Sequence, residues 1–209
     1  MDSFVILDLV RKGTPISLDQ SAEREFRHRN LRVLRGGYLT MPLAYALSKN
    51  KLFLVAAVLT EEAGNSGALK VGDEFELDDK EKVQAWARIK KESLSSAAKA
   101  ELESAIERLI DEDEARFVDF FNKASSITTR MHSLELMPGI GKKHMWEIIE
   151  KRRKPFESLQ DIKDRIPLIL DLKKSLKERI LKELEEDEKY YFFVLPPRRP
   201  QAGNYRRRP

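Results

Sequence analysis

Apolar positions along the 209 residues follow two regimes. Up to about residue 93 they come in short runs or alternate with polar residues, the period-two signature of strands. Phe4-Val5-Ile6-Leu7-Asp8-Leu9-Val10 is such a run, ended by Gly13 and Pro15. Tyr38-Leu39-Thr40-Met41 follows the Gly36-Gly37 turn, and residues 52–59 form a second apolar, β-branched run. A loop over 62–67 leads to residues 71–77, which alternate. Residues 83–89 alternate again, with Val83, Ala85, Ala87 and Ile89 on one face and Gln84, Trp86 and Arg88 on the other. These five short candidates predict a small antiparallel barrel, for which the OB-fold is the natural architecture at this size. A β-sandwich fragment would give similar strands.

From Ser95 the apolar period lengthens to that of helices. Ser95 or Ser96 can cap a helix carrying Leu102, Ala105, Ile106, Leu109 and Ile110. After the acidic residues 111–114 the stripe resumes at Phe117, Val118, Phe120 and Phe121, read as core. Residues 127–134 then predict the first helix of a hairpin and 142–153 the second, which Pro155 stops. Trp146 is read as core on that second helix. Ser158-Leu159-Gln160-Asp161 has the form of a helix start, and Pro167 precedes a long amphipathic helix with Leu172, Leu176, Ile180, Leu181 and Leu184. A faint internal repeat aligns residues 142–147 with 173–178, placing Ile169-Leu170-Asp171-Leu172 where Pro138-Gly139-Ile140-Gly141 stands; two similar helices could also match by chance. The aromatic run 190–195 predicts a strand returning to the barrel, or a helix end packed on it, and residues 196–209 a disordered basic tail.

Composition narrows the chemistry. Hydrophobic residues at 41% support real cores, and the absence of cysteine excludes disulfides, thiolate metal sites and a cysteine nucleophile. The three histidines, His28, His132 and His144, are scattered, which argues against a histidine metal site. No run reaches the ~18 apolar residues of a membrane span, and the start, with Asp2, does not read as a signal peptide. A cytoplasmic location is expected. The net charge of +4 is uneven: Arg198, Arg199, Arg206, Arg207 and Arg208 carry +5, so everything before them sums to −1.

The most informative ten residues are 134–143, Leu-Glu-Leu-Met-Pro-Gly-Ile-Gly-Lys-Lys. Glycines let a phosphate approach the backbone and permit φ > 0. The helix that begins there aims its unpaired N–H groups and positive dipole end at the same place. Lys142 and Lys143 add charge for a polyanion. A plain αα-hairpin with Ile140 as a core plug would use the same turn. Arg24, Arg27, Arg29, Arg32 and Arg35 meet the single acid Glu25 within 24–35, a second candidate for tracking phosphates, with Phe26 and His28 placed to stack on bases. Trp86 and Arg88 lie where OB-folds stack bases, although the following helix could equally cover Trp86. Arg130 and His132 either reach the hairpin's phosphates or act as intramolecular caps. Arg206, Arg207 and Arg208, with Tyr205, form a basic arm.

The 134–143 segment resembles the hairpin of the helix-hairpin-helix family. That resemblance implies a monovalent cation on the carbonyls of Glu135, Met137 and Ile140, bridging to a phosphate held by the N–H groups of Gly139, Gly141 and Lys143. More widely, residues 116–122, 127–132, 136–147 and 154–158 resemble an uncharacterised archaeal family, domain of unknown function 655. The resemblance is strong over 94–195 and looser over 1–93. It implies an OB-like barrel followed by a helix-hairpin-helix region and a nucleic-acid-binding, translation-linked role without established activity. In DNA glycosylases with this hairpin a lysine attacks the sugar and a downstream aspartate activates it. Lys143 and Asp161 have that spacing, but the surrounding pattern is missing.

The expectation is an α+β chain: an OB-like β-barrel over 1–93, an all-α helical domain over 94–189 with the helix-hairpin-helix at 127–153, a returning strand at 190–195 and a tail. Its expected role is non-catalytic binding of structured RNA of the translation apparatus, with the ribosome or ribosomal RNA as partner and no cofactor beyond the hairpin cation. The alternatives are a DNA module of replication or repair, a protein-interaction adaptor, and a glycosylase-like enzyme.

Overall fold

Apolar runs buried on both sides make the centre of a five-stranded antiparallel sheet. The structure, a computed structural model, describes residues 2–11, 16–29, 31, 38–39, 41–169 and 171–197. The sheet contains β1 (Ser3–Val10), β4 (Leu43–Ser48), β5 (Leu54–Leu59), β6 (Glu74–Glu76) and β7 (Val83–Arg88), in the order β6-β1-β4-β5-β7. Each pairing is antiparallel, with one extra residue in β1 between Ile6 and Asp8 and one in β7, Gln84, opposite Val58/Leu59, which bend the strands. The result is a curled half-barrel. Phe4, Ile6, Ala44, Ala46, Phe53, Val55, Ala57, Leu59, Phe75 and Val83 fill one face. Alanines at 44, 46 and 57 leave room there for the sheet to curl. The loop after β5 carries the short α2 (Glu61–Asn65).

The strand count agrees with the sequence, but the membership differs. Residues 38–41 were expected in the barrel; instead β3 (Tyr38–Leu39) pairs with β2 (Ile16–Ser17) in a separate ribbon. Its place is taken by β4, which is buried at all six positions and therefore shows no alternation. Segment 24–35, the second candidate for tracking phosphates, begins inside a helix that the sequence reading did not predict, α1 (Gln20–His28), capped by Asp19.

The other sheet face, with Val5, Leu7, Tyr45, Leu54 and Ala87, belongs to the same apolar cluster as the helices. α3 (Ser96–Glu112) connects the two, packing on β1 with one side and on α7 (Leu172–Leu184) with another. Its cap is Ser95, whose hydroxyl accepts from Ala98 N–H and donates to Asp8. α4 (Glu114–Lys123), α5 (Lys142–Lys151) and α6 (Leu159–Arg165) complete the helical part.

Two expectations for this half are corrected. The region is not all-α: residues 127–134, expected as the first hairpin helix, form β8 (Ser126–Thr128) and β9 (Met131–His132), then a 3-10 turn over Ser133–Leu136. Ile127, Thr128 and Thr129 favour extended backbone, and His132 and Glu135 close a capping box that can start only at His132. Residues 190–195 are not a strand either. The Glu183 carboxylate, fully buried on α7, accepts the N–H groups of Phe192, Phe193 and Val194 at 2.9–3.0 Å. Those donors are satisfied by a side chain rather than a ladder. Phe193 then packs against Phe117 and Phe120.

Candidate nucleic-acid interface

Between the 3-10 turn and α5 the chain reverses through Met137-Pro138-Gly139-Ile140. Ile140 N–H donates to Met137 C=O at 3.1 Å, and Gly139 has φ +79°. Pro at the second position and Gly with positive φ at the third define a type II turn. Met137 and Ile140 are buried on either side, so the apolar plug and the exposed glycine are parts of one device. Gly141 caps α5 with φ −86° and ψ 176°, and a Cβ there would meet nothing within 4 Å. Neither space nor backbone angle demands glycine at 141. Yet α5 has neither a side-chain cap nor an acid in its first turn: α1, α2, α3, α6 and α7 are capped by Asp19, Thr60, Ser95, Ser158 and Asp171, and α4, which also lacks a side-chain cap, opens with Glu114. The N–H groups that open α5 thus have no side-chain acceptor among the described residues.

The turn is held from behind. Ser175 donates to Pro138 C=O at 2.6 Å and Arg179 to Leu136 C=O at 3.4 Å. Arg179 is 2% exposed, pairs with Glu183 at 2.9 Å and lies over the Phe192 ring. Sequence reasoning missed both residues, because Arg179 and Glu183 at i,i+4 look like an ordinary solvated pair. Upstream, His132 is a cap and 8% exposed: its Nδ1 accepts from Leu134 N–H at 3.1 Å. Burial and the charge of Arg152 hold its imidazole below the ordinary value, with Glu135 opposing. Of the carbonyls expected to hold a cation, Met137's accepts the turn hydrogen bond, while Glu135 and Ile140 flank it.

Seven Lys and Arg meet three Glu between residues 130 and 154. Arg130, Lys142, Lys143, Lys151, Arg153 and Lys154 are exposed and form no ion pair among the described residues. Elsewhere lysines are commonly paired, as Lys49, Lys173 and Lys177 are. Trp146, expected in the core, is 64% exposed; Met145 and Ile148 supply the buried face of α5 instead.

The other expected positions separate from this patch. Arg24, Arg27 and Arg29 are exposed on α1, but Arg27 and Arg29 pair with Glu23 and Glu25. Phe26 is fully buried and cannot stack on a base. Trp86 does not face outward from the barrel: it is half-buried beside the Phe4, Phe53 and Phe75 cluster, with the Arg29 guanidinium 5.7 Å from its ring centre. α1, not the following helix, approaches it. Arg88 is committed to Glu186 and to the carbonyls of Leu195 and Pro196. Arg32, Arg35, Arg206, Arg207 and Arg208 lie outside the described residues.

Asp161 accepts from Glu157 N–H and pairs with Arg165, which also holds the carbonyls at the end of α5. The repeat also acquires a register. Ile166-Pro167-Leu168-Ile169 closes with an Ile169 N–H to Ile166 C=O bond of 3.0 Å like that of 137–140, although Leu168 lacks the positive φ of Gly139. The turns match 29 residues apart, not at the spacing of 31 that the lysine pairs suggested, because α7 starts one residue later after its turn than α5 does and its lysine pair stands one residue further into the helix.

Among the described residues no group of three His, Cys, Asp or Glu could hold a metal, and no helix is long and apolar enough to cross a membrane. A curled antiparallel sheet backed by helices, with a glycine turn presented by the helical half, defines a class of mixed α+β proteins. The chain belongs within it to the family of proteins of unknown function DUF655, whose model matches residues 2–195. It is similar to the crystal structure of Af1531 from Archaeoglobus fulgidus, of the same family: TM-score 0.69, 34% identity, 93% of this chain and 100% of that one. It is 47% identical over 112 residues to the uncharacterised protein MJ0038 of Methanocaldococcus jannaschii, a match over 51% of this chain and about half (49%) of that relative's length.

Proposed function

We propose that this protein is a non-catalytic nucleic-acid-binding protein that grips the backbone of structured RNA at the turn 139–143. The observation that carries this reading is the open N-terminus of α5: uncapped, preceded by Gly139 and Gly141, flanked by Lys142 and Lys143, and without an acid in its first turn. A helix start of this kind favours an anion through both its free N–H groups and its dipole. The turn is read as a helix-hairpin-helix device whose first arm is shortened to a 3-10 turn, and the sheet as an OB-like barrel. The carbonyls of Glu135, Met137 and Ile140 are the proposed seat of a bridging monovalent cation. RNA is favoured over DNA through the family resemblance, and a translation-associated RNA is its expected partner. The non-catalytic reading is supported by Asp161, whose carboxylate is occupied by Glu157 N–H and Arg165 rather than free to activate Lys143.

Gly141→Asp tests the grip. An aspartate fits there without a clash and supplies the missing cap, stabilising the fold by a few tenths of a kcal/mol relative to glycine. The same carboxylate occupies the N–H groups and repels phosphate. Thermal unfolding should therefore hold or rise while anisotropy titration with a structured RNA shows binding weakened about tenfold or more. Unchanged affinity at equal stability would exclude the turn as the binding site. Crosslinking in cells followed by sequencing separates RNA from DNA.

A further inference from the structure

Trp146 has no assigned task, and its neighbours decide what covers it. On a helix, residues three and four apart share a surface, so Lys142 and Lys143 stand beside the indole toward the start of α5, both exposed and unpaired among the described residues. Glu150 lies one turn further on, also exposed. An apolar protein groove closing over Trp146 would have to desolvate two ammonium groups without supplying counter-charges. A nucleic-acid strand matches both features at once, its phosphates meeting the lysines and a base meeting the indole face. Four residues of helix rise about 6 Å, which is roughly two stacked base steps at ~3.4 Å each. Glu150 repels phosphate and so confines the backbone to the lysine side of the indole. Bases inside a duplex are already stacked on each other, which leaves their faces closed to an added ring.

We infer that Trp146 is a stacking platform for an unpaired base next to the backbone held at residues 139–143, so the ligand class is a single-stranded, looped or bulged segment rather than continuous duplex. This inference rests on the backbone grip proposed above. Stacking on an aromatic ring is tolerant of sequence because every base has a π-face, so the site selects unpaired structure without selecting a base.

The test uses the full chain and two probes, a 12-nucleotide oligouridylate and a blunt RNA duplex with the same number of phosphates. Oligouridylate should quench tryptophan emission, and the quenching should disappear in Trp146→Ala, leaving the signal of Trp86. Trp146→Ala should weaken oligouridylate binding about tenfold and leave duplex affinity within about twofold, and Trp146→Phe should restore part of the loss. The thermal midpoint should not move, because the side chain is exposed. Equal weakening for both probes, or oligouridylate binding without quenching, would overturn the stacking role. A loss in Lys142→Ala/Lys143→Ala with none in Trp146→Ala would do the same while leaving the backbone grip intact. Failure of the unmodified protein to bind either probe would overturn the grip itself, and this inference with it.

Discussion

Gly139 and Gly141 stand two residues apart and answer to different constraints. At Gly139 the positive φ is required by the turn, and a side chain there costs about 1–2 kcal/mol of strain. Gly139→Ala should therefore lower stability and binding together. Gly141 is free of that constraint, which is why its replacement separates the two quantities. The pattern Pro-Gly-x-Gly was plain in the sequence; the division of labour was not, because it depends on φ and on the space around each Cα. His132 offers a second residue-scale measurement. Its neutral imidazole accepts the Leu134 N–H, and its folded pKa lies below the ordinary 6.5. Between the folded value and about 6.5 the unfolded chain binds more protons, so stability rises with pH there and is lost as pH falls through that window. One proton contributes a slope of at most about 1.4 kcal/mol per pH unit. His132→Asn keeps a capping acceptor and should flatten that part of the profile in urea denaturation between about pH 5 and 7; an unaltered slope would assign it to other groups.

Most elements with one wet face were legible, α1 being an exception because only Ala22 and Phe26 mark its buried side. β7 alternates and α3 shows its apolar stripe, with Ser95 and Ser158 marking helix starts as expected. β4 has no wet face and was passed over. The β8–β9 ribbon has the opposite problem: it buries little, so no periodicity betrays it. Trp146 defeated the reading because hydrophobic type stands in for burial in any pattern argument, and this residue breaks that equivalence. α7 hid its most consequential pair in the same way. Glu183 serves Arg179 and three backbone N–H groups, so Glu183→Ala leaves a buried guanidinium with Glu188 as its one remaining acid among the described residues and frees the 192–194 donors. Removing one partner of a buried pair costs about 3–5 kcal/mol; the lower end is expected here because Glu188 remains. Equilibrium unfolding measures the loss, and amide exchange should rise first at Phe192, Phe193 and Val194. A loss under about 1 kcal/mol would show the segment to be held by its aromatic packing alone.

At the scale of the whole molecule, one apolar cluster runs from the outer sheet face through α3 into α7 and on to Phe193 and Val194. Sheet and helices should melt in one transition in calorimetry, and two resolved transitions would show that α3 does not couple them. The proposed grip would therefore be mounted on the molecule's main core and not on a detachable lobe. That core also carries a second four-residue turn, over residues 166–169, without the positive φ of Gly139. In this second turn Leu168 takes the place of Gly139, and Asp171 fills the start of α7 by accepting Lys174 N–H. The start of α5, the proposed socket, is open, and the start of α7 is closed by the protein's own carboxylate. Asp171→Gly would remove that closure for a few tenths of a kcal/mol of helix stability. The molecule would then shift from univalent toward divalent attachment, and avidity would rise without a new surface being built.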